Sequence, residues 1–252
     1  MSDTPIFRCI AEWQGNRPWG RFLDAGTGSH SLRWVAGLQT DAWTAITGAE
    51  GMARQVRDTV SETQRSQDRI VVGDWADPDL LAGDSYDTVL ADYLLGAIDG
   101  FAPYFQPYLF ARLRPLVSKQ LYLVGLQPYV PYFPDDDAGR MITRIGRTRD
   151  ACLLLAGERP YREYPLDWVC QHLEASGFRV EQTRQFPIRY GQRFVQSQIA
   201  MCEARLPRFA DAALAEAMAA TLDRLRHEAL ALDDRLGGLR HGFDYVVSAT
   251  PR

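Results

Sequence analysis

The chain has little of what would build a metal or disulfide framework. Its four cysteines, Cys9, Cys152, Cys170 and Cys202, form no C-x-x-C pair, and its four histidines, His30, His172, His227 and His241, are as widely scattered. No metal-ligand spacing is present, and no metal is expected. Isolated thiols fit a reducing compartment, so a cytoplasmic protein is expected. No stretch approaches the ~18 consecutive apolar residues that a membrane span requires. The opening residues, MSDTPIFRCIAEW, lack both the basic and the long apolar parts of a signal peptide. Positive charge is not in excess either: 28 Lys and Arg against 32 Asp and Glu leave a net charge of −4. Without a broad cationic field, neither nucleic acid nor a membrane is the expected partner. Internal repeats and low-complexity tracts are missing too.

What is there is an ordinary globular composition, with 46% hydrophobic and 24% charged residues over 252 positions. That is enough for one large domain, or one domain carrying insertions. An amphipathic segment at 6–13 ends in the breakers Gly15-Asn16-Arg17-Pro18. Residues 1–19 are expected to cap the active site or to pack on a sheet edge. From residue 20 to 126, short β-prone runs alternate with helical periodicity. Strands are expected at 21–24, 42–47, 69–72, 86–91 and 120–126, with helices at 29–37, from 50 and within 96–116, the last interrupted by Pro103 and Pro107. This alternation predicts parallel βαβ units and an open α/β sheet. Such sheets bind ligands beyond the carboxyl ends of their strands. Here those ends carry Asp24 with its glycine loop, Thr47 to Glu50, Asp74-Trp75 and Asp92-Tyr93.

The loop after the first strand, RFLDAGTGSHS, carries the strongest signal. Gly26 and Gly28 clear side chains from a helix N-terminus, so a ligand can lie against bare backbone N–H groups. Asp24 ahead of the first glycine would repel the phosphates of a dinucleotide, but suits a ligand with an amine and positive charge. The D-x-G-x-G pattern resembles motif I of the class I S-adenosylmethionine-dependent methyltransferases. After residue 163 come helices at 166–176, across 191–206 and at 212–236, with strands at 178–188 and 243–249; the two late strands are expected to form an antiparallel hairpin in that family's manner. The resemblance covers roughly residues 20–126, 164–188 and 243–250. It implies a single domain with a mostly parallel seven-stranded open sheet, helices on both faces and an antiparallel last strand. Segments 127–163 and 189–242 would be helical insertions that build a substrate cover.

The resemblance further implies S-adenosylmethionine as cofactor. Asp24, Gly26, Thr27 and Gly28 would hold its methionyl part, and Asp74 and Trp75 its adenine. Asp92 and Tyr93 would stand beside the transferable methyl group. Where the family usually places an acid for the ribose hydroxyls, this chain has Thr47, with Glu50 three residues on. Methyl transfer from a sulfonium is an in-line displacement that depends mostly on positioning and desolvation. Tyr93, Asp92 and His30 are the candidates for a general base, His30 because a helix N-terminus favours neutral imidazole.

The expected acceptor is a small molecule. Phe101, Tyr104, Phe105, Tyr108, Tyr129, Tyr132 and Phe133 could line an apolar pocket or serve as core. Arg140, Arg144 and Arg147 share a helix face and could clamp an anion or simply be solvated. Together they sketch an anionic acceptor with an apolar or aromatic body. The Ala-rich helix at 212–236 could serve a homodimer or pack internally. Two other readings stand beside this one: a nicotinamide-dependent oxidoreductase, and a non-catalytic methyltransferase-like subunit that binds a protein through 189–242.

Overall fold

A computed structural model describes residues 4–130 and 132–252. The element order is α1 (Pro5–Gln14), β1 (Arg21–Asp24), α2 (Ser29–Ala36), β2 (Ala42–Thr47), α3 (Glu50–Val60), β3 (Arg69–Val72), β4 (Tyr86–Asp92), α4 (Leu94–Ala97), α5 (Gln106–Leu113), β5 (Val117–Leu126), α6 (Asp137–Leu155), α7 (Leu166–Ala175), β6 (Phe178–Tyr190), α8 (Gln192–Glu203), α9 (Ala212–Leu236) and β7 (Leu239–Pro251). The seven strands form one sheet in the order β3-β2-β1-β4-β5-β7-β6. β1 to β5 pair in parallel, and β7 runs antiparallel to β5. The chain winds outward from β1 to β3 and returns on the other side of β1 with β4. The topological switch point therefore lies between β1 and β4, which is where open α/β sheets place their ligands.

The chain divides into two compact units. Unit 1 comprises Met1–Leu126, Arg162–Phe186 and Asp244–Arg252. Its core follows from strand periodicity. Phe22, Leu90, Tyr122, Val124 and Val246 share one sheet face and pack with Leu32, Trp34 and Val35 of α2 and Val56 and Val60 of α3. Leu23, Val89, Leu121, Leu123 and Val247 alternate with them and are equally buried. Helices cover both faces, so the strands are apolar on both sides, as parallel sheets require.

α1 shows how local signals and packing agree. Thr4 caps it by accepting the Phe7 N–H at 3.3 Å, Pro5 opens it and Gly15, at φ 58°, ends it. Phe7 and Ile10 then enter the α2-side core. Past the helix, Arg17 donates to Gln120 at 2.8 Å and to the Tyr122 hydroxyl at 3.2 Å, and Tyr122 donates to Gln14 at 2.8 Å. Segment 4–19 is thus fastened to the core face and to β5.

Unit 2 comprises Gln127–Tyr161 and Pro187–Phe243 and is built on α6, α8 and α9. Asp136 caps α6 through the Gly139 N–H at 2.7 Å, and Asp211 caps α9. Ile142 and Ile145 of α6, Val195 and Ile199 of α8, and Leu222 and Leu225 of α9 are its buried apolar residues at helical spacing. The fully buried positions of α9 begin at Leu222; its first ten residues carry none.

Strand and helix positions follow the sequence expectations closely; the largest departures are at β5 and at β7, which begins at Leu239 rather than 243. β5 begins at Val117 rather than 120, because Val117 pairs with Tyr86 across an irregular register step. As expected, the helical stretch within 96–116 is broken: α4 ends at Ala97, and α5 starts at Gln106 with Pro107 in its first turn.

Candidate functional site

Asp24 ends β1 between two parallel neighbours, opposite Ala45 of β2 and Leu90 of β4. Hydrogen bonds staple the following loop to both strands: Ala25 N–H donates to Leu90 O and Thr27 N–H to Ile46 O, each at 2.8 Å. The two glycines serve different ends. A Cβ on Gly26 would stand 2.9 Å from Leu94 Cβ, so α4 requires glycine there. A Cβ on Gly28 would meet nothing within 4 Å, and its φ of −127° suits any residue. The open volume at Gly28 lies directly at the N-terminus of α2, where a ligand can approach backbone N–H groups.

Ser31 organises the acid. Its hydroxyl accepts the Gly28 N–H at 3.1 Å and donates to Asp24 Oδ2 at 2.8 Å. Asp24 is fully buried, and that burial pushes its carboxyl up to about 6, against the lowering effect of hydrogen bonds from the Thr27 side chain, the Ser31 hydroxyl and the Gly26 N–H. The loop buries Asp24 Oδ1, Thr27 Oγ1 and Ser29 Oγ; the Thr27 side chain acts on the Asp24 carboxyl, while Ser29 Oγ has no hydrogen-bond partner, a state that costs about 1–3 kcal/mol unless a ligand or water satisfies it.

The second and third strand ends are arranged differently. Thr47 is buried at the end of β2, where its hydroxyl accepts the Ala49 N–H at 3.4 Å and its carbonyl accepts Gly73 N–H. Glu50 is exposed and opens α3. A Cβ on Gly48 would lie 2.6 Å from the Phe101 ring, so that ring reaches over the end of β2. Asp74 is exposed and starts a turn by accepting the Ala76 N–H at 2.9 Å. Trp75 is buried under the Arg112 guanidinium and donates its indole N–H to Ala25 O at 2.7 Å. Its ring thereby buttresses the glycine loop from below.

At the switch point, strand register gathers a set of acids. Asp24 faces Leu90, Asp92 faces Val124 and Asp244 faces Leu126. Leu90 and Asp92 are two apart on β4, and Val124 and Leu126 two apart on β5. Side chains at i and i+2 share a face, so Asp24, Asp92 and Asp244 stand on one face of the sheet, above the α2-side core. Burial, followed by Asp24 and Asp244, pushes the Asp92 carboxyl up to about 7. Burial also raises Asp244 to about 6, with hydrogen bonding from Tyr93 opposing it. Tyr93 begins α4 in the left-handed region at φ 50°, a strain of about 1–3 kcal/mol that clusters at functional sites. Burial and the Asp244 charge drive its phenol far above the ordinary range, which favours the protonated hydroxyl.

The structure thus brings together Asp24, Thr27, Gly28, Asp92 and Tyr93, and adds Ser31 and Asp244, which the sequence reading missed. Ser31 lay at i+7 from the acid, the spacing of a residue one helical turn past the loop. Asp244 was legible as the lone acid opening the final apolar run, FDYVVSA. His30 is exposed and stacks on Phe7 at 5.3 Å, and it is not among the groups that shift Asp92 or Tyr93. In unit 2 the three arginines are engaged locally. Arg140 pairs with Asp137 and Arg144 with Glu228, while Arg147 donates to Val130 O and Tyr132 O. Among the aromatics, Tyr129 is buried in unit 2, whereas Phe101, Tyr104, Tyr108, Tyr132 and Phe133 are exposed. No helix among the described residues is long and apolar enough to cross a membrane.

No family model and no curated protein matches the sequence. Solved structures do match the fold. A candidate methyltransferase from Bacillus halodurans C-125 aligns with a TM-score of 0.62 at 13% identity, covering 99% of this chain and 100% of that one. The mycolic acid cyclopropane synthase CmaA1, solved with S-adenosylhomocysteine, aligns at 0.56 and 16% identity over 96% and 84% of the two chains. The [4+2]-cyclase SpnF aligns at 0.53 and 15% identity over 97% and 78%. The fold is the seven-stranded fold of the class I S-adenosylmethionine-dependent methyltransferases.

Proposed function

We propose that the chain transfers a methyl group from S-adenosylmethionine to a small-molecule acceptor. One observation carries this reading: the fully buried Asp24 carboxyl, held by Ser31, beside the open cradle at Gly28, at the switch point of the sheet. That donor set fits the cofactor's ammonium and amino-acid backbone. Asp24, Thr27 and Gly28 would hold the methionyl part, while Thr47 and Glu50 would share the ribose. Asp74 is the adenine acceptor in this reading, and Trp75 acts through the loop it supports. Bound S-adenosylmethionine supplies an electrophilic methyl carbon. The residues of this chain position and desolvate: Asp92 and Tyr93 line the end of β4 and Tyr93 offers a hydroxyl donor. His30, exposed on α2, retains a base role only for an acceptor that reaches that helix. A cytoplasmic enzyme acting on small molecules, and not on nucleic acid, accords with the net charge of −4.

Calorimetric titration of the full chain tests this. S-adenosylhomocysteine should bind, and a nicotinamide dinucleotide should not; the opposite result would replace the methyltransferase with an oxidoreductase. A binder without methyl transfer is the second reading, favoured by Thr47 standing where a bidentate acid would grip ribose. Retention of full cellular function by Gly26→Arg would support it.

A further inference from the structure

We infer that the ring of Phe101 packs on the nucleoside of the bound cofactor and so helps to recognise it. This rests on the methyl-transfer reading and adds a residue to that site. Trp75, the aromatic expected beside the adenine, is 4% exposed; its indole N–H is held by Ala25 O at 2.7 Å and the Arg112 guanidinium lies over its ring. Phe101 has the opposite disposition and is 47% exposed. Its ring atoms Cδ1, Cε1 and Cγ would lie 2.6, 3.0 and 3.0 Å from a Cβ on Gly48. One side of the ring therefore rests on bare backbone at the end of β2, and the rest is open.

The neighbouring strand end is built in the same way. Val72 is the register partner of Thr47, and Gly73 N–H donates to Thr47 O at 3.0 Å, so Gly48 and Gly73 adjoin beyond the ends of β2 and β3. A Cβ on Gly73 would stand 2.5 Å from Leu80 Cδ1. Each of these ends lacks a side chain of its own and carries an apolar one from a distant segment. Leu80 is buried, whereas Phe101 keeps about half its surface open. A lone exposed aromatic is ordinary on any protein surface. This one is pinned. The Phe101 and Ala102 N–H groups both donate to Ile98 O, at 3.0 and 2.7 Å. The buried Asp99 accepts Tyr104 N–H at 3.1 Å, with Tyr104 in the left-handed region at φ 68°. Backbone strain held in this way preorganises a segment for a ligand.

Position selects the occupant. In the reading above, Thr47 and Glu50 share the ribose, and Gly48 follows Thr47 directly. A ring seated on Gly48 thus meets the sugar and the base it carries, while the methionyl part lies one strand over, at Gly28. A hydrocarbon ring stacks on a purine through its face and needs no hydrogen bond to do so. It supplies the apolar contact that Trp75, committed to the glycine loop, does not.

Calorimetric titration of the full chain with S-adenosylhomocysteine tests this. Phe101→Ala should weaken binding by about tenfold, the effect of one lost base–aromatic contact. Phe101→Tyr keeps the ring and should bind within about twofold of wild type. Gly48 lies outside the left-handed region, so its backbone accepts alanine, but the new Cβ drives the ring from its place. Gly48→Ala should therefore also weaken binding by about tenfold, and should add less than about twofold when Phe101→Ala is already present. Sinefungin, which shares the nucleoside and differs at the sulfur position, should lose the same factor in Phe101→Ala. Binding within about twofold of wild type in Phe101→Ala overturns the inference, and so does tighter binding, which would make the ring an obstacle. Additive losses in the double variant, or a loss confined to one of the two ligands, overturn it as well. Failure of the wild type to bind S-adenosylhomocysteine overturns the methyl-transfer reading and this inference with it.

Discussion

Replacing Asp24 with asparagine should stabilise the ligand-free protein while removing its function. The carboxyl is raised from 3.8 to about 6, burial being the main cause. A group that binds its proton more tightly when folded makes stability fall as pH rises, here through the window between about 4 and 6. Above that window the ionised, buried Asp24 costs roughly two pKa units, or about 3 kcal/mol at ~1.4 kcal/mol per unit. Asp24→Asn escapes this penalty and can still accept the Ser31 hydroxyl. Urea unfolding without ligand at pH 4.5 and 7.5 measures the effect. Wild type should lose stability between the two pH values, and the variant should lose about 2 kcal/mol less, since about a third of the full effect is already present by pH 4.5. At pH 7.5 the variant should be the more stable protein, with S-adenosylhomocysteine binding abolished. A variant less stable than wild type at pH 7.5, with an unchanged pH dependence, would refute the argument that the ionised carboxylate is uncompensated until a ligand arrives.

The other predictions separate packing from ligand space. Gly26→Ala forces a Cβ to 2.9 Å from Leu94 and should destabilise by about 1–3 kcal/mol in chemical denaturation, whereas Gly28→Ala meets no atom and should leave stability within about 0.5 kcal/mol while weakening S-adenosylhomocysteine in calorimetry. Trp75→Phe keeps the ring but orphans Ala25 O, which should cost about 1–2 kcal/mol and loosen the cofactor several-fold as the loop relaxes. Asp68→Ala, remote from the site, removes the buried acceptor of Trp43 N–H and the Arg65 guanidinium; it should cost about 3 kcal/mol in urea unfolding with cofactor affinity unchanged in the folded protein.

The fold was legible because its signals are local. Ala42–Thr47, Arg69–Val72 and Ala212–Leu236 were bounded correctly by apolar runs and by breakers at Gly48, Gly73 and Gly237. The glycine loop was legible because Gly26 and Gly28 follow an acid directly. Register was not legible, since nothing near Asp244 in the sequence says that Leu126 is its neighbour. For the same reason the Ser31 hydroxyl could be taken for a missing glycine, although it joins Asp24 to the helix cap. The arginines of α6 misled in the opposite direction. Their spacing does put Arg140 and Arg144 on one face, but Asp137 and Glu228 supply the partners, one from the same helix and one from α9.

The cost of this site explains where its polar residues sit. Strand interiors on the α2 side carry Phe22, Leu90, Val124 and Val246, and the polarity changes abruptly at the next inward position, to Asp24, Asp92 and Asp244. Packing alone would continue the apolar column, because one buried and two half-buried acids close together lower stability at neutral pH. Tyr93 adds backbone strain on top of that. A ligand bearing positive charge offsets the first of these: it neutralises the acids and draws their protons off, so binding releases that part of the penalty the ligand-free fold carries. The same group of residues should therefore set cofactor affinity, ligand-free stability and its pH dependence together. Substitutions such as Asp68→Ala, which leave the switch point untouched, should lower stability without moving cofactor affinity.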